Sequence, residues 1–467
     1  MINTSQLEPF INSKRRVVLP RLLTLVSVSR LLFDLLVWRI DGWQGFFSPD
    51  TMSYLTPAQS LLHGSFAIKD VPEILRTPGY PLLLSLAIAS GHVVICAILS
   101  NVLLAVLSAW LIWRITSAIS ANTNAAVWAV LFYCFEPVGF IYSAKLLSDT
   151  LFCTQLLLFV WLFLRFLQKP SWKKVLLAGA SLACATYTRP TSLFLGFWLA
   201  PLLLLFPRTA PVRRRVLQAA AFPVVFAVAL LPWFVRNTVV AGYTGFSSVS
   251  DVSLYFLTAA AIEAKVQHKT FSQMQQEFGD RDDRLYIQVH PEQRSWTRGQ
   301  KLTFQRNAAK TIISRHPLTN LRIHFTGCLI VAFEPGATEL LKMLRLYPES
   351  VGMLSRVVDI GIVKAIAWLT WHYPAVSIPL SLMAVQLIAY YVLGLIGLRL
   401  VSFEVRVVFL SLVLYFILVS GGPGAGARYR MPIMPIVCVC AGVAIANWKH
   451  KPAAYHPLSH ELPWSNK

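Results

Sequence analysis

Residues 92–113 read HVVICAILSNVLLAVLSAWLIW, without one Asp, Glu, Lys or Arg. A hydrocarbon slab about 30 Å thick is crossed by roughly 20 apolar residues of helix, so this stretch reads as a membrane span. Comparable apolar runs lie at 17–38, 121–141, 150–167, 174–188, 190–206, 216–235, 376–398, 405–420 and 431–448. The whole 467-residue chain is 56% hydrophobic and 13% charged, whereas a water-soluble domain carries about 25% charged residues. The expectation is an all-α polytopic membrane protein. Disordered, fibrous and disulfide-rich classes are excluded by the same composition.

The region 320–372 is ambiguous, being apolar in two stretches but broken at Glu334, Pro335 and Gly336. Two spans there would give a bundle of twelve transmembrane helices, and an interfacial path would give ten. The first 20 residues are polar and basic with no small-residue cleavage site, so the first apolar run is expected to remain as an anchor. The seven cysteines lie in or beside apolar runs with no metal spacing, which is the usage of small hydrophobes.

Lys and Arg number 42 against 21 Asp and Glu, a net charge of +21. In a membrane chain this reports cytoplasmic basic loops and anionic lipid rather than nucleic acid. The groups Lys14 to Arg16, Arg165 to Lys174, Arg208 to Arg215, and Lys449 with Lys451 all fall on one side when spans are counted. That side is expected to be cytoplasmic. The chain then divides into an N-terminal membrane module (1–235) with a first external loop (39–79), an external polar subdomain (236–319), a C-terminal membrane module (320–448) and a cytoplasmic tail (449–467). Within the subdomain, GDRDDR with Asp280, Asp282 and Asp283 reads as a solvated turn, since it lacks the later residues of a calcium loop. The basic stretch Lys301 to Arg315 is expected to lie along the membrane surface.

Acids are scarce enough for their positions to carry information. From residue 74 to 250 they are Glu136 and Asp149 alone, and unpaired ionisable groups in a membrane are functional candidates. Asp50 in FFSPDTMSYL follows Pro49 just after the first span; it is either a helix cap before Met52 to Leu62 or a carboxylate held at the membrane surface. The turn Arg76-Thr77-Pro78-Gly79-Tyr80-Pro81 brings Arg76 and Tyr80 to the same face, as site residues or as an interfacial anchor. Lys145, Arg189, Arg236, Arg428 and Arg430 add positive charge where it is normally depleted. An anionic ligand would account for it, because guanidinium groups hold phosphate oxygens in a bidentate fork. Arg30 and Asp34 are spaced i, i+4 within the first span and are expected to pair.

These motifs resemble the C-type (GT-C) membrane glycosyltransferases, especially the bacterial branch similar to protein O-mannosyltransferases and lipid A aminoarabinose transferases. The matching pieces run in order: SPDTMSYL (48–55) with LLHG behind it, RTPGYPLLL (76–84), EPVGFIYSAKLLSDTLF (136–152), TYTRPTSLFL (186–195), PWFVRN (232–237) with Gly242, and RYRMPIMPI (428–436). The resemblance covers residues 40–250 and 420–440 and is silent over 251–370. It implies a GT-C-like bundle and transfer of a sugar from a polyprenyl-phosphate donor to a lipid, glycan or protein acceptor, at the outer face of the bacterial cytoplasmic (inner) membrane. On this chain Asp50 would be the catalytic acid of the first loop and Asp149 the acid after the third span. Arg76, Tyr80, Lys145, Arg189, Arg236, Arg428 and Arg430 would bind substrate. Many relatives have a second acid after the first, where this chain has Thr51, which leaves acceptor class and any divalent metal open; no cofactor is expected.

The chemistry agrees with the residues. A sugar hydroxyl is a poor nucleophile, and one positioned carboxylate serves as its general base in an inverting single displacement. Retention would want two carboxylates flanking the anomeric carbon. The competing reading is a lipid-linked substrate transporter or flippase, which would place ionisable groups near mid-bilayer on broken helices in repeated halves. The candidates here gather at one face, and no repeat is visible.

Overall fold

A computed structural model describes residues 4–206, 210–280, 283–347 and 353–448. The expectations for Arg208, Asp282, Lys449, Lys451 and the tail 449–467 lie outside these residues, as do the side chains of Lys14, Arg15, Arg16 and Asp283. The described chain is helical almost throughout, as an all-α polytopic membrane protein requires, because backbone groups in hydrocarbon must be satisfied within the segment. The helices Val93–Ile119, Asp149–Gln168, Val212–Ala241, Pro374–Leu400 and Phe403–Ser420 are each long and apolar enough to cross a membrane. Thr123–Cys134 and Pro137–Ser143 form a sixth candidate, bent by 57°. The bend has a local cause: Pro137 disfavours helical backbone in the residue before it, so Glu136 is extended and its carboxylate accepts the N–H groups of Val138 and Gly139.

Shorter apolar helices fill the bundle, among them Gly79–Ala89, Pro190–Leu205 and Met434–Ala446. Met434–Ala446 packs against both Thr123–Cys134 and Pro374–Leu400. Phe152, Phe159, Phe163, Phe222 and Phe226 are all buried in the main core. The seven cysteines are unpaired thiols.

In the ambiguous region the helix Pro317–Phe333 ends at the break, followed by Ala337–Met343, Met353–Ile360 and Ile362–His372. At 1.5 Å per residue the last of these is about 16 Å long, too short to cross. Among the described residues of 320–372 no helix is long and apolar enough to cross a membrane. Position 236, where the polar subdomain is expected to begin, falls inside the helix Val212–Ala241, which is closed by Gly242 in the left-handed conformation (φ 61°). The basic helix Arg298–Arg315 turns Leu302 and Ala309 inward, Ala309 packing on Tyr255, Phe256 and Ala259. At Ala309 its apolar spacing thus serves packing on residues 255–259. Arg30 and Asp34 are both buried but form no ion pair; the Arg30 guanidinium lies 4.2 Å over the Phe140 ring and 5.8 Å from that of Tyr133. The aromatic faces attract the cation that the i, i+4 spacing assigned to Asp34.

One strand pair is present among the described residues, Ala67–Ile68 against Val71–Pro72. Lys69 and Asp70, both at positive φ (48° and 63°), make the two-residue turn between them, the geometry whose twist suits a tight hairpin. This hairpin sits in the first loop and leads directly to Arg76.

Candidate active site

The first loop enters the site through Ser48-Pro49-Asp50-Thr51. Thr51 is buried and organises the turn: its hydroxyl accepts the Ser48 N–H at 2.9 Å and donates to the Leu146 carbonyl at 3.2 Å. Asp50 precedes the helix Thr51–Leu61 but its side chain makes no capping bond. The cap reading of Asp50 is therefore replaced by ion pairing. Arg76 Nη2 donates to Asp50 Oδ1 at 2.8 Å and Arg428 Nη1 to Asp50 Oδ2 at 2.8 Å.

Asp149 opens the helix Asp149–Gln168. Arg428 Nε donates to both of its carboxylate oxygens at 3.0 Å, and Arg428 Nη2 donates to Oδ2 at 2.8 Å. Arg189 Nη1 pairs with Asp149 Oδ1. The result is one chain of alternating charge, Arg76, Asp50, Arg428, Asp149 and Arg189, with one more cation than anion. These residues come from five separate segments of sequence. Gly79 lies against Thr188, where a Cβ would collide, and the Thr77 hydroxyl donates to the Thr188 carbonyl at 3.1 Å. That close approach sets the turn carrying Arg76 beside the one carrying Arg189.

The two acids differ in environment. The Asp50 side chain is 40% exposed, whereas that of Asp149 is 1% exposed. Partial burial alone would raise the Asp50 carboxyl, but the charges of Arg76 and Arg428 outweigh it and hold the group below its ordinary value. Asp50 is thus ionised at neutral pH and reachable. Asp149, enclosed and gripped by two guanidinium groups, is placed to hold them.

Aromatic and hydroxyl groups complete the wall. Arg76 also donates to Ser53 Oγ at 2.8 Å and to Tyr54 Oη at 3.1 Å, with its guanidinium 4.4 Å over the Tyr54 ring. Tyr54 Oη and Ser148 Oγ are 3.1 Å apart. Tyr80 is buried edge-to-face on Tyr54, ring centroids 5.2 Å apart, and its hydroxyl has no hydrogen-bond partner among the described residues. A small cleft opens beside Arg189 and Arg428, walled by Phe416, Tyr429 and Pro432.

Three of the expected binding residues stand outside this cluster. Lys145 is buried and donates to the carbonyls of Gly45 and Phe47 at 3.2 and 3.3 Å, with Glu339 3.6 Å away. Arg430 is buried and donates to the carbonyls of Val331 and Glu334 at 2.9 and 2.7 Å. Arg236 donates to the carbonyls of Glu73 and Phe66 at 2.6 and 2.8 Å. Other acids enter that the sequence did not single out as site residues. Glu334 accepts the N–H of Ala427, the residue before Arg428, and that of Gly336; its sign in the sequence was the Glu-Pro-Gly break. Glu73 accepts the N–H groups of Leu75 and Arg76. Among the described residues no three His, Cys, Asp or Glu side chains gather as a metal site.

No curated protein matches the chain. The family model described as dolichyl-phosphate-mannose-protein mannosyltransferase matches residues 76–233, which include Arg76, Tyr80, Asp149 and Arg189 but stop short of Asp50 and Arg428. Over residues 76–233 the chain is thus similar to the dolichyl-phosphate-mannose-protein mannosyltransferases, a GT-C-type family of glycosyltransferases.

Proposed function

We propose that the protein transfers a sugar from a polyprenyl-phosphate donor to a lipid, glycan or protein acceptor of the cell envelope, at the outer face of the bacterial cytoplasmic membrane. The observation that carries this reading is the bridge of Arg428 between a reachable carboxylate, Asp50, and a buried one, Asp149. A base and a phosphate-binding cation are thereby neighbours, as attack at a phosphate-linked anomeric carbon requires. The outward orientation is supported by the basic residue Arg165, sixteen residues after Asp149 on the same helix and so about 24 Å from it, with Lys169 just past the end of that helix.

In this reading the acceptor hydroxyl approaches the anomeric carbon and gives its proton to Asp50 as the new C–O bond forms. The bond from the anomeric carbon to the phosphate oxygen breaks, and its electron pair leaves with the polyprenyl phosphate. One displacement inverts the anomeric centre. Arg428 offsets the charge that grows on the departing phosphate. Its Nε and Nη2 stay on Asp149 while the phosphate takes the place of Asp50 at Nη1. Asp50 then loses a counter-charge and becomes a stronger base as the donor arrives. No cofactor enters this scheme.

The test uses purified protein in lipid nanodiscs with polyprenyl-phosphate mannose, glucose or aminoarabinose, with release of polyprenyl phosphate followed over time. Consumption of one of these donors with inversion supports the reading. Turnover of nucleotide sugars with none of the lipid-linked donors consumed would overturn it.

A further inference from the structure

The first loop reaches the site through a strap of five residues, Pro72 to Arg76, whose backbone is held from the end of the helix Val212–Ala241 and from the polar subdomain that follows it. Arg298 Nη1 donates to the Pro72 carbonyl at 3.0 Å, and Arg236 Nη1 donates to the Glu73 carbonyl at 2.6 Å. The backbone N–H of Ser248 donates to the Ile74 carbonyl at 2.9 Å, and Ser247 Oγ to the Leu75 carbonyl at 2.7 Å. Four consecutive carbonyls are thus each given a donor by residues beyond position 235. The Ile74 side chain is fully buried against Tyr243 and Leu302 of the same subdomain. Glu73 closes the strap from within, its buried carboxylate accepting the N–H groups of Leu75 and Arg76.

Arg236 also spans the hairpin. Its Nη2 donates to the Phe66 carbonyl at 2.8 Å while Nη1 serves Glu73, so one planar fork ties the two ends of residues 66–73 together. Its guanidinium lies 4.9 Å from the Trp233 ring and 5.5 Å from that of Phe66. Both terminal nitrogens are committed to backbone, which is poor provision for a ligand and good provision for rigidity. Arg76, the next side chain along, makes the ion pair with Asp50 and the bonds to Ser53 and Tyr54. A loop of this length without such restraint would let Arg76 wander by more than the ångström or so that oriented catalysis tolerates.

We infer that Arg236, near the end of the helix Val212–Ala241, and Arg298 are positioning residues, clamping the strap 72–76 to that helix and to the polar subdomain so that Arg76 is fixed against Asp50. The inference rests on the proposed function only for the identity of the reaction that the clamp serves. The subdomain is then the seat of the catalytic loop, and a change in its packing reaches the base through five residues of backbone.

The test is a double-mutant cycle in the full-length protein, read as release of polyprenyl phosphate from polyprenyl-phosphate mannose, together with backbone hydrogen exchange over residues 72–77. Arg236→Ala is expected to lower turnover on the order of 10- to 100-fold and to speed exchange of the strap. In an Arg76→Ala background the same substitution should change turnover by less than about twofold, because its effect passes through Arg76. Arg236→Lys keeps the charge but not the fork and should retain most of the loss. Losses that multiply in the double variant, or full activity in Arg236→Lys, would overturn the positioning role. Unchanged exchange in Arg236→Ala would overturn it independently of activity. Faster exchange in a protein that consumes none of the lipid-linked sugars would uphold the clamp while removing the proposed function.

Discussion

Arg428 binds Asp50 and Asp149 at once, through different nitrogens: Nη1 reaches Asp50 at 2.8 Å, while Nε and Nη2 hold Asp149 at 3.0 and 2.8 Å. A guanidinium so divided can give up one carboxylate and keep the other. In the proposed reaction the buried acid would act as its hinge, and the exposed acid would be the partner that an arriving phosphate replaces.

Substitution at Arg428 should therefore weaken donor binding as well as turnover. For Arg428→Ala the donor Kd is expected to rise by about 10-fold or more, in line with the loss of one charged hydrogen bond of roughly 1.5–3 kcal/mol, measured by titration of polyprenyl-phosphate mannose into nanodisc-held protein. Arg428→Lys should bind better than Ala yet fall short of wild type, since one ammonium cannot serve three contacts in a plane. Unchanged donor affinity in Arg428→Ala would place the phosphate elsewhere.

Asp149 should behave as a structural anchor. Asp149→Asn leaves Arg189 and Arg428 facing a neutral amide in a buried setting, and breaking such a pair costs about 3–5 kcal/mol. The expected result is a lower thermal-unfolding midpoint accompanied by lost activity. A variant as stable as wild type would mean that the two arginines find other partners.

The pH dependence follows from the sign of the Asp50 shift. Arg76 and Arg428 hold its carboxyl below the ordinary value, near 3.9 for a free Asp. The acid limb of kcat/KM is therefore expected below that value, and Arg76→Ala should move it upward by removing one of the two cations. The same depressed carboxyl contributes folded-state stability that is fully present above its unfolded pKa and is lost as pH falls through the folded one. The loss is confined to pH below about 4. An acid limb that stays put in Arg76→Ala would separate Asp50 from the titration.

The membrane class and the grouping of five of the candidate residues were legible in the sequence because both depend on rare features. An apolar run such as 92–113 has few alternatives, and acids are so sparse between 74 and 250 that Asp149 stood out. The grouping of Arg76, Arg189 and Arg428 could be anticipated from their shared side and from the resemblance. The reading failed where a charged side chain had a partner invisible to spacing. Arg236 and Arg430 looked like ligands for an anion but are held by backbone carbonyls, which carry no mark in a sequence. Arg30 found an aromatic face rather than Asp34. Helix Arg298–Arg315 showed the amphipathic spacing of a surface helix, and the spacing alone does not say whether lipid or protein covers it. Glu73 and Glu334 act on backbone N–H groups at chain turns, a use that only the folded path reveals.

The most direct measurement is the turnover of Asp50→Asn set beside its donor affinity, in purified protein with polyprenyl-phosphate mannose. Asn keeps the shape of Asp50 and can still accept a bond from Arg76, so fold and donor binding should be close to wild type. Release of polyprenyl phosphate should nevertheless fall about 10²- to 10⁴-fold, because an amide does not take the acceptor's proton. Near-normal release by Asp50→Asn, with the donor bound as tightly as in wild type, would contradict Asp50 as the base.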